Sequence, residues 1–519
     1  MKHSGLYVLS IIVGIFAGAV CIPFRYVVSW VSGIRPYIFG DEAELFGVKS
    51  ALLTHVVVFI TIYLILMIVA LLVKHFPKIS GSGLPQTQAL LYGRIVYSKP
   101  FTYLFVKFIG GIFSLGSGLS LGREGTSVQM GSLTGYLTGS LFRVKQGLRR
   151  HLIAAGAGAG IAAAFTAPLS SSILILESLQ KFSMPQTAIC TLLAGTTAGI
   201  MAKLTIPSNI YGGIPTSTPN TTEWKLIVVF FFMALFFAII GKLFSRMLII
   251  GKTWYSQLDT WKYSYITKNT FSKVAILTVV IFTVGLFFPT MIGGDQTFLV
   301  TQASKGHENI FFLIALIVVI SAFTILSNSS AYPGGIFLPM MTVGGLAGKL
   351  FYELLFLFPY FLGQDYNLSG YFVLIGMSAF FISVVRTPLT GFILISEMTG
   401  HYEVFFPALI VGTLVYYFTQ MLKVEPMNDI LYKFMISTQK DQPIRSTIYL
   451  EVGPDSYFAG KTIQTLTLPQ NCTITNIQRN KQNLQFINTT ILIEGDQIAI
   501  EINSNEMEKV YQPLVSMSI

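Results

Sequence analysis

Residues Gly156–Glu177 read GAGAGIAAAFTAPLSSSILILE, and residues Gly376–Glu397 read GMSAFFISVVRTPLTGFILISE. Eight of the 22 aligned positions are identical without a gap, and they include a Pro-Leu pair and the terminal glutamate. Apolar composition would match some of these positions by chance, but not the Pro-Leu pair together with the glutamate. An offset of 213 residues aligns four more pairs: Gly122 with Gly335, Gly131 with Gly344, Leu133 with Leu346, and Gly135 with Gly348. The sequence therefore predicts a duplicated fold, and in duplicated transporters the substrate site lies at the repeat interface near the membrane midplane.

The composition is that of a polytopic membrane protein. Of the 519 residues, 53% are hydrophobic and 11% are charged, whereas soluble domains carry about 25% charged residues. Runs such as Ala51–Val73 and Ile310–Leu326 approach the length of about 20 residues that crosses a bilayer. Other apolar segments, such as Thr126–Phe142, are shorter or carry Gly and Pro. Short, interrupted helices are typical of transporters, where they end inside the membrane and line a polar site.

The net charge of +11 is unevenly distributed along the chain. From residue 441 onward there are eight acidic and five basic residues, so this tail carries −3 and the preceding part carries +14. In a membrane protein a basic excess is typical of cytoplasmic loops rich in Lys and Arg. Nucleic acid is therefore not expected as a partner.

The change in composition predicts two domains. The first is a transmembrane domain over 1–437, whose repeat halves cover roughly 50–205 and 225–425, and the second is a small domain over 443–519. The boundary is expected near Thr438–Ser446.

Three glycine-rich segments each precede an apolar stretch that can form a helix. Glycine lets the backbone approach a ligand closely, and the N–H groups at a helix N-terminus favour an anion. Several such ends would bind an anion without a side-chain cation that holds it too tightly for release. The segments are Gly81-Ser82-Gly83-Leu84-Pro85, Gly122-Arg123-Glu124-Gly125-Thr126 and Gly334-Gly335-Ile336-Phe337-Leu338-Pro339.

Together these segments resemble the signature motifs of the CLC chloride channel and transporter family, over about residues 6–436. The resemblance implies an all-α polytopic fold of two inverted-topology repeats of short tilted helices. It also implies a homodimer in the cell membrane with one anion pathway per subunit. By this resemblance Glu124 is the gating glutamate, which competes with the anion and carries the proton. The anion-binding residues that we carry over are Ser82, Gly83, Gly125, Ile336, Phe337 and Asn428.

The residue pattern by itself also singles out Glu124. Only 15 acidic residues precede position 441, and a carboxylate at membrane depth is costly unless it is paired, protonated or hydrated. At a helix N-terminus an ionised Glu124 can take the place of a bound anion, and a protonated one can swing away. The alternative is a structural pair with Arg123.

Two positions depart from the pattern of coupled exchangers in that family. Many exchangers have a second proton-transfer glutamate directly after the position of Glu177, where this chain has Ser178. Glu177 is then a candidate for the proton path, or a residue that ends a helix near the interface. A tyrosine usually meets the central anion where this chain has Asn428, whose shorter amide can still donate to an anion. Both departures leave a passive channel of the same fold as the alternative to exchange, while retained Ser82 favours chloride.

The tail is expected to be a small α/β domain. Short strands are predicted over Ile448–Val452, Thr473–Arg479, Thr490–Ile493 and Gln497–Ile502, with a helix over Asn505–Val515. The order of its motifs is similar to the C-terminal subdomain of the RCK (TrkA-C) regulators of potassium transport. That resemblance implies a cytoplasmic dimerisation module and a small regulatory ligand, with cyclic di-AMP as the candidate.

The leading hypothesis is chloride transport by H⁺/Cl⁻ exchange, with Glu124 as the gate and the tail as regulator. A passive voltage- or ligand-gated chloride channel is the alternative, and a ligand sensor with a vestigial membrane part is a third. An enzyme is not expected, since no nucleophile–base pair has a plausible spacing. The histidines show no metal-ligand spacing, so neither a metal nor another cofactor is expected.

Overall fold

In the computed structural model, the described residues form a helical membrane domain followed by a small sheet domain. The described residues are 3–39, 51–180, 185–206, 212–217, 219, 223–257, 270–288, 292, 296–304, 306–357, 368–438, 445–454, 456–469, 471–479, 482–503 and 507–518. Helices α1 to α6 span His3–Phe39, Ala51–His75, Leu84–Leu91, Pro100–Gly116, Arg123–Leu141 and Gln146–Phe165. Helices α7 to α12 span Pro168–Leu174, Pro185–Thr205, Glu223–Gln257, Thr270–Phe287, Gln296–Ser304 and Ile310–Ser329. Helices α13 to α17 span Phe337–Phe356, Ser369–Val385, Pro388–Thr399, Phe405–Met421 and Met427–Thr438.

Helix length follows the apolar pattern of the sequence. By length and composition, seven helices in the described part of the chain could cross a membrane, among them α2, α9 and α12. Helices α3, α7 and α15 are much shorter, with 8, 7 and 12 residues, and each has Pro in its first turn, where the missing N–H costs nothing. The chain thus combines full spans with helices that end inside the domain.

The duplication is visible in how helices cross. In the first half α5 packs on α6 so closely that a Cβ on Gly131 would lie 2.1 Å from the Gly156 carbonyl oxygen. In the second half α13 packs on α14, and a Cβ on Gly344 would lie 2.8 Å from the Gly376 carbonyl oxygen. These four glycines are two of the pairs that the internal repeat aligned. Small residues allow such close crossings between membrane helices, so the repeated glycines specify the same contact twice.

The two halves also break their helices at equivalent positions. Thr166 ends α6 with φ of 56°, and Arg386 ends α14 with φ of 66°, both in the left-handed region. Two residues later Pro168 and Pro388 begin the short helices α7 and α15. A left-handed residue cannot continue a helix, and proline favours the start of the next one. The repeat therefore consists of a buried helix, a break and a short helix.

The tail folds into a four-stranded antiparallel sheet in the order β1-β4-β2-β3, followed by a helix that contacts β1. The elements are β1 Arg445–Glu451, β2 Cys472–Arg479, β3 Gln482–Leu484, β4 Gln497–Asn503 and α18 Met507–Ser518. The prediction of a strand over Thr490–Ile493 was wrong, because Ile491 makes only an isolated bridge to Thr462 and the third strand is β3. The predicted domain boundary includes residues 439–444, which lie outside the described residues.

An internal ion pair fixes the turn before β4. Arg479 donates from Nε and Nη2 to the two carboxylate oxygens of fully buried Asp496, both at 2.8 Å. The Ile493 N–H also donates to Asp496 Oδ2, at 3.0 Å. The hydrogen bonds to Asp496 raise the pKa of the Arg479 guanidinium above its ordinary value. The guanidinium is therefore engaged inside the tail.

Candidate functional site

The three glycine-rich segments meet through their backbones. The N–H of Gly122 donates to the Gly335 carbonyl at 2.8 Å, and the N–H of Gly335 donates to the Gly122 carbonyl at 2.6 Å. Gly334 donates to the Gly81 carbonyl at 3.2 Å. Segments separated by as many as 250 residues of chain therefore form one cluster, which places the starts of α3, α5 and α13 side by side.

Glu124 lies in this cluster on the first turn of α5, with no exposed surface. Its Oε1 accepts hydrogen bonds from the N–H groups of Phe337 at 2.6 Å and Leu338 at 3.4 Å. Oε2 is buried and has no hydrogen-bond partner among the described residues. Helix α13 begins at Phe337, with Ile336 as its N-cap, and the N-terminus of a helix favours negative charge. The carboxylate is thus held by the N–H groups that begin α13.

Ser82 approaches the same cluster from the other side. It is 4% exposed, and its hydroxyl has no hydrogen-bond partner among the described residues. The next residue, Gly83, is the N-cap of α3 with φ of 84°, and a Cβ there would lie 2.4 Å from the Gly125 carbonyl oxygen. A side chain would be excluded at Gly83 by both its backbone conformation and this contact. The Ser82 loop therefore packs directly on the helix start that carries Glu124.

A cavity of about 350 Å³ reaches Ser82. Lys252 lines it and donates from Nζ to the Asn328 carbonyl at 3.2 Å. Helix α17 contributes Leu431 and Phe434 to the same wall. Ser82 and Lys252 thus line the same cavity.

Asn428 and Ser178, which both depart from the pattern of coupled exchangers, are hydrogen-bonded to each other. Asn428 lies in the first turn of α17 and Ser178 in the π-helical turn Ile175–Gln180, and both are buried. The Asn428 amide nitrogen donates to the Ser178 hydroxyl. In this arrangement the amide donor of Asn428 is directed to Ser178, and its Oδ1 has no partner among the described residues. Binding of an anion by Asn428 stays a prediction.

Glu177 contacts the start of the equivalent helix in the other repeat. Its Oε1 accepts from the Leu389 N–H at 3.2 Å. Its Oε2 accepts from the Thr390 N–H at 3.0 Å and from the Thr390 hydroxyl at 2.7 Å. The carboxylate of Glu177 therefore caps the N-terminus of α15.

Glu397 makes the reciprocal contact. Its Oε1 accepts from the Leu169 N–H at 3.0 Å, and its Oε2 accepts from the N–H and hydroxyl of Ser170 at 2.9 and 2.8 Å. Each repeat thus caps the short helix of the other, as expected for halves related by a two-fold axis. This exchange explains why the Pro-Leu pair and the glutamate occur together in both segments.

The sequence analysis missed Lys107. It is fully buried on α4 and donates from Nζ to the carbonyls of Ile79 at 2.7 Å and Gly81 at 2.9 Å. Its signal was available, since it is the one charged residue in the apolar helix Pro100–Gly116, and ionisable residues at membrane depth have functional roles by default. The expectation that no side-chain cation binds the anion directly is compatible with Lys107, because its donors go to carbonyl groups.

No cluster of three or more His, Cys, Asp or Glu side chains that could hold a metal ion occurs in the described part of the chain.

Comparison with known proteins assigns both parts of the chain. Residues 65–420 match the model of the voltage gated chloride channel family, and residues 448–515 match the TrkA-C domain. The H(+)/Cl(-) exchange transporter ClcA of Vibrio cholerae serotype O1 is 30% identical over 448 residues, which cover 84% of this chain and 90% of the relative. ClcA of Salmonella arizonae is 30% identical over 424 residues, which cover 78% of this chain and 83% of the relative.

Solved structures of CLC-type proteins are also similar to this chain. A slow cyanobacterial Cl⁻/H⁺ antiporter has a TM-score of 0.73 at 27% identity, over 84% of this chain and 98% of that one. A eukaryotic CLC transporter has a TM-score of 0.67 at 18% identity, over 87% of this chain and 80% of that one, which shows a shared fold.

Proposed function

The chain belongs to the voltage-gated chloride channel family, and from this premise we propose that it exchanges chloride for protons, with Glu124 as the gate. As a family member it is a multi-pass protein of the cell membrane, and its TrkA-C domain is cytoplasmic. Chloride and protons as substrates are supported by relatives that are named as H(+)/Cl(-) exchange transporters. The observation that carries the proposal is the carboxylate of Glu124 on the N–H groups that begin α13.

One residue can link the two ions because its charge decides its position. Ionised Glu124 is held by the Phe337 N–H, as a chloride ion would be, so the carboxylate and chloride compete for the same donors. Protonation removes the negative charge that these donors favour, and the side chain is then displaced by chloride. Return of the carboxylate to α13 releases the proton on one side and expels the anion. The unpartnered hydroxyl of Ser82 and the N–H groups of Ile336 and Phe337 are the proposed chloride donors.

Glu177 is the proposed next group on the proton path. It precedes Ser178, whose hydroxyl accepts a hydrogen bond from Asn428 on α17, the helix that also contributes to the wall of the cavity that reaches Ser82. A water chain between Glu124 and this region would complete the path. Glu177 would have this role in addition to capping the N-terminus of α15.

A passive chloride channel is the second candidate, and the bond between Asn428 and Ser178 favours it. A hydroxyl and an amide replace the ionisable and phenolic groups of the coupled pattern, so neither side chain can carry a proton at neutral pH. In this alternative Glu124 opens and closes the pathway without moving protons in a fixed ratio to chloride.

Vesicles reconstituted with the purified protein separate the two candidates. For exchange, an imposed chloride gradient drives protons uphill, and Glu124→Gln abolishes that proton movement while chloride still flows. For a channel, the gradient drives chloride alone in both proteins. Uphill proton movement that persists in Glu124→Gln would reject Glu124 as the proton carrier.

We propose that the protein is a homodimer whose tail regulates transport by binding cyclic di-AMP. The TrkA-C match supports a regulatory module, and β1 lies against α6, which packs on the helix that carries Glu124. Arg479 donates from Nε and Nη2 to Asp496, so these two nitrogens are already engaged and are less available to the ligand's phosphates. A thermal shift of the full-length protein on titration with cyclic di-AMP, together with a change in chloride flux, is the expected result. An unchanged unfolding temperature at saturating nucleotide would reject cyclic di-AMP as the ligand.

A further inference from the structure

The loop that leads into Ser82 has its backbone carbonyls engaged in an unusual way. Each of the four consecutive carbonyls from Lys78 to Gly81 accepts a hydrogen bond from a side chain on a neighbouring helix. Gln129 Nε2 donates to the Lys78 carbonyl at 2.7 Å, and Gln86 Nε2 donates to the Ser80 carbonyl at 2.6 Å. Lys107 Nζ donates to the carbonyls of Ile79 at 2.7 Å and Gly81 at 2.9 Å. These donors come from α5, α4 and α3, so three helices fix one short loop.

Lys107 is the charged member of this set and the one that binds two carbonyls. It has no exposed surface, and no carboxylate pairs with it among the described residues. A buried ammonium without a counter-ion is costly in a membrane protein. Partial negative charges of carbonyl oxygens stabilise it, so its position and that of the loop constrain each other.

The geometry of the peptide bond links these carbonyls to the anion site. In a trans peptide the C=O of one residue and the N–H of the next point in opposite directions. Binding of the Gly81 carbonyl by Lys107 and by the Gly334 N–H therefore aims the Ser82 N–H away from Lys107. The same contacts engage the Ile79 and Gly81 carbonyl oxygens, which would repel an anion if they were left free.

We propose that Lys107 is a positioning residue for anion binding, which acts by holding the Ile79 and Gly81 carbonyls so that Ser82 presents its donors to chloride. This inference rests on the proposed function, since it assumes that Ser82 binds the transported anion. It adds a residue outside the glycine-rich segments, and one that does not itself touch the anion.

Lys349 is a matched control. It is also fully buried, and its Nζ donates to a backbone carbonyl, that of Gln302, at 2.6 Å. It lies twelve residues beyond Phe337 on α13, which is about 18 Å along the helix axis. Its substitution removes a buried ammonium of the same kind far from the Ser82 loop.

A double-mutant cycle on the full-length protein tests the proposal, with chloride affinity measured by calorimetry and folding followed by thermal unfolding. We expect Ser82→Ala and Lys107→Met each to weaken chloride binding about tenfold, the loss of a hydrogen bond to a charged group. Because Lys107 acts in part through the Ser82 hydroxyl, the double variant should lose less than the product of the two single effects, whereas independent effects would multiply. Lys349→Met should leave the affinity within about twofold of the wild type, since it does not touch this loop.

The outcomes separate this inference from the proposed function. An unchanged affinity in Ser82→Ala would reject the proposed anion site itself. A normal effect of Ser82→Ala with an unchanged affinity in Lys107→Met, or with multiplicative losses in the double variant, would reject only the role of Lys107. If Lys107→Met does not fold, Lys107→Gln takes its place in the cycle. Its shorter, uncharged amide should hold the two carbonyls less well, so chloride affinity should still fall, and an unchanged affinity would reject the role of Lys107.

Discussion

At the residue scale, Glu124 and Lys107 are both buried and both ionisable, yet the structure uses them differently. Glu124 has one oxygen on the N–H groups of α13 and one that has no partner in the described part of the chain, so few bonds to the described residues hold its charged form. Lys107 has two carbonyl partners and no exposed surface. A loosely held charge can move, and a tightly held one can fix a loop. The motif around Glu124 was readable from the sequence, but the partners of Lys107 depend on which carbonyls the fold brings to it.

The pair of Ser178 and Asn428 gives a prediction at this scale. In Ser178→Ala the Asn428 amide loses its acceptor and becomes free to donate to chloride. We expect chloride affinity to rise by up to about tenfold, the effect of one added hydrogen bond to an ion. Calorimetric titration of the purified protein measures it. In the control, Ser178→Ala combined with Asn428→Leu, the gain should disappear, and a gain that remains would show that Asn428 is not its source.

At the element scale, the reciprocal caps make Glu177 and Glu397 a matched pair. Glu177→Gln and Glu397→Gln should each lower the free energy of unfolding by about 1–3 kcal/mol, because charge-assisted hydrogen bonds to a helix N-terminus are lost. The proposed proton path adds a difference between them. Proton flux per chloride in vesicles should fall in Glu177→Gln and stay at the wild-type ratio in Glu397→Gln. Equal ratios in both variants would leave Glu177 with its capping role alone.

The helix crossings give a second prediction for elements. Gly156→Ala would place a Cβ 2.1 Å from the Gly131 carbonyl oxygen, and Gly376→Ala would place one 2.6 Å from the Gly344 carbonyl oxygen. Both should destabilise the protein by at least about 1–3 kcal/mol, the usual cost of overpacking. Thermal unfolding in detergent measures this. Gly33→Ala, where nothing lies within 4 Å, is the control and should unfold at the wild-type temperature or above. Wild-type stability in Gly156→Ala would contradict the assigned crossing.

At the scale of the whole molecule, the duplication could be predicted from the sequence because identical residues have the same structural role in both halves. The glycines at the crossings, the prolines that begin short helices and the capping glutamates all recur at fixed offsets. The bond between Ser178 and Asn428 was not readable, since it joins residues 250 positions apart that have no equivalents in the aligned segments. In the tail, the apolar run Thr490–Ile493 predicted a strand. Its last residue instead belongs to the turn before β4, where the Ile493 N–H donates to Asp496. The strand that pairs with β2 at this edge is β3.

The central claim, that chloride and protons move in exchange through Glu124, is tested most directly by the reversal potential of the purified protein in a planar bilayer. With opposed chloride and proton gradients, we expect the wild-type current to reverse between the two equilibrium potentials. The current of Glu124→Gln should reverse at the chloride equilibrium potential. A wild-type current that reverses at the chloride equilibrium potential, whatever the proton gradient, would rule out exchange.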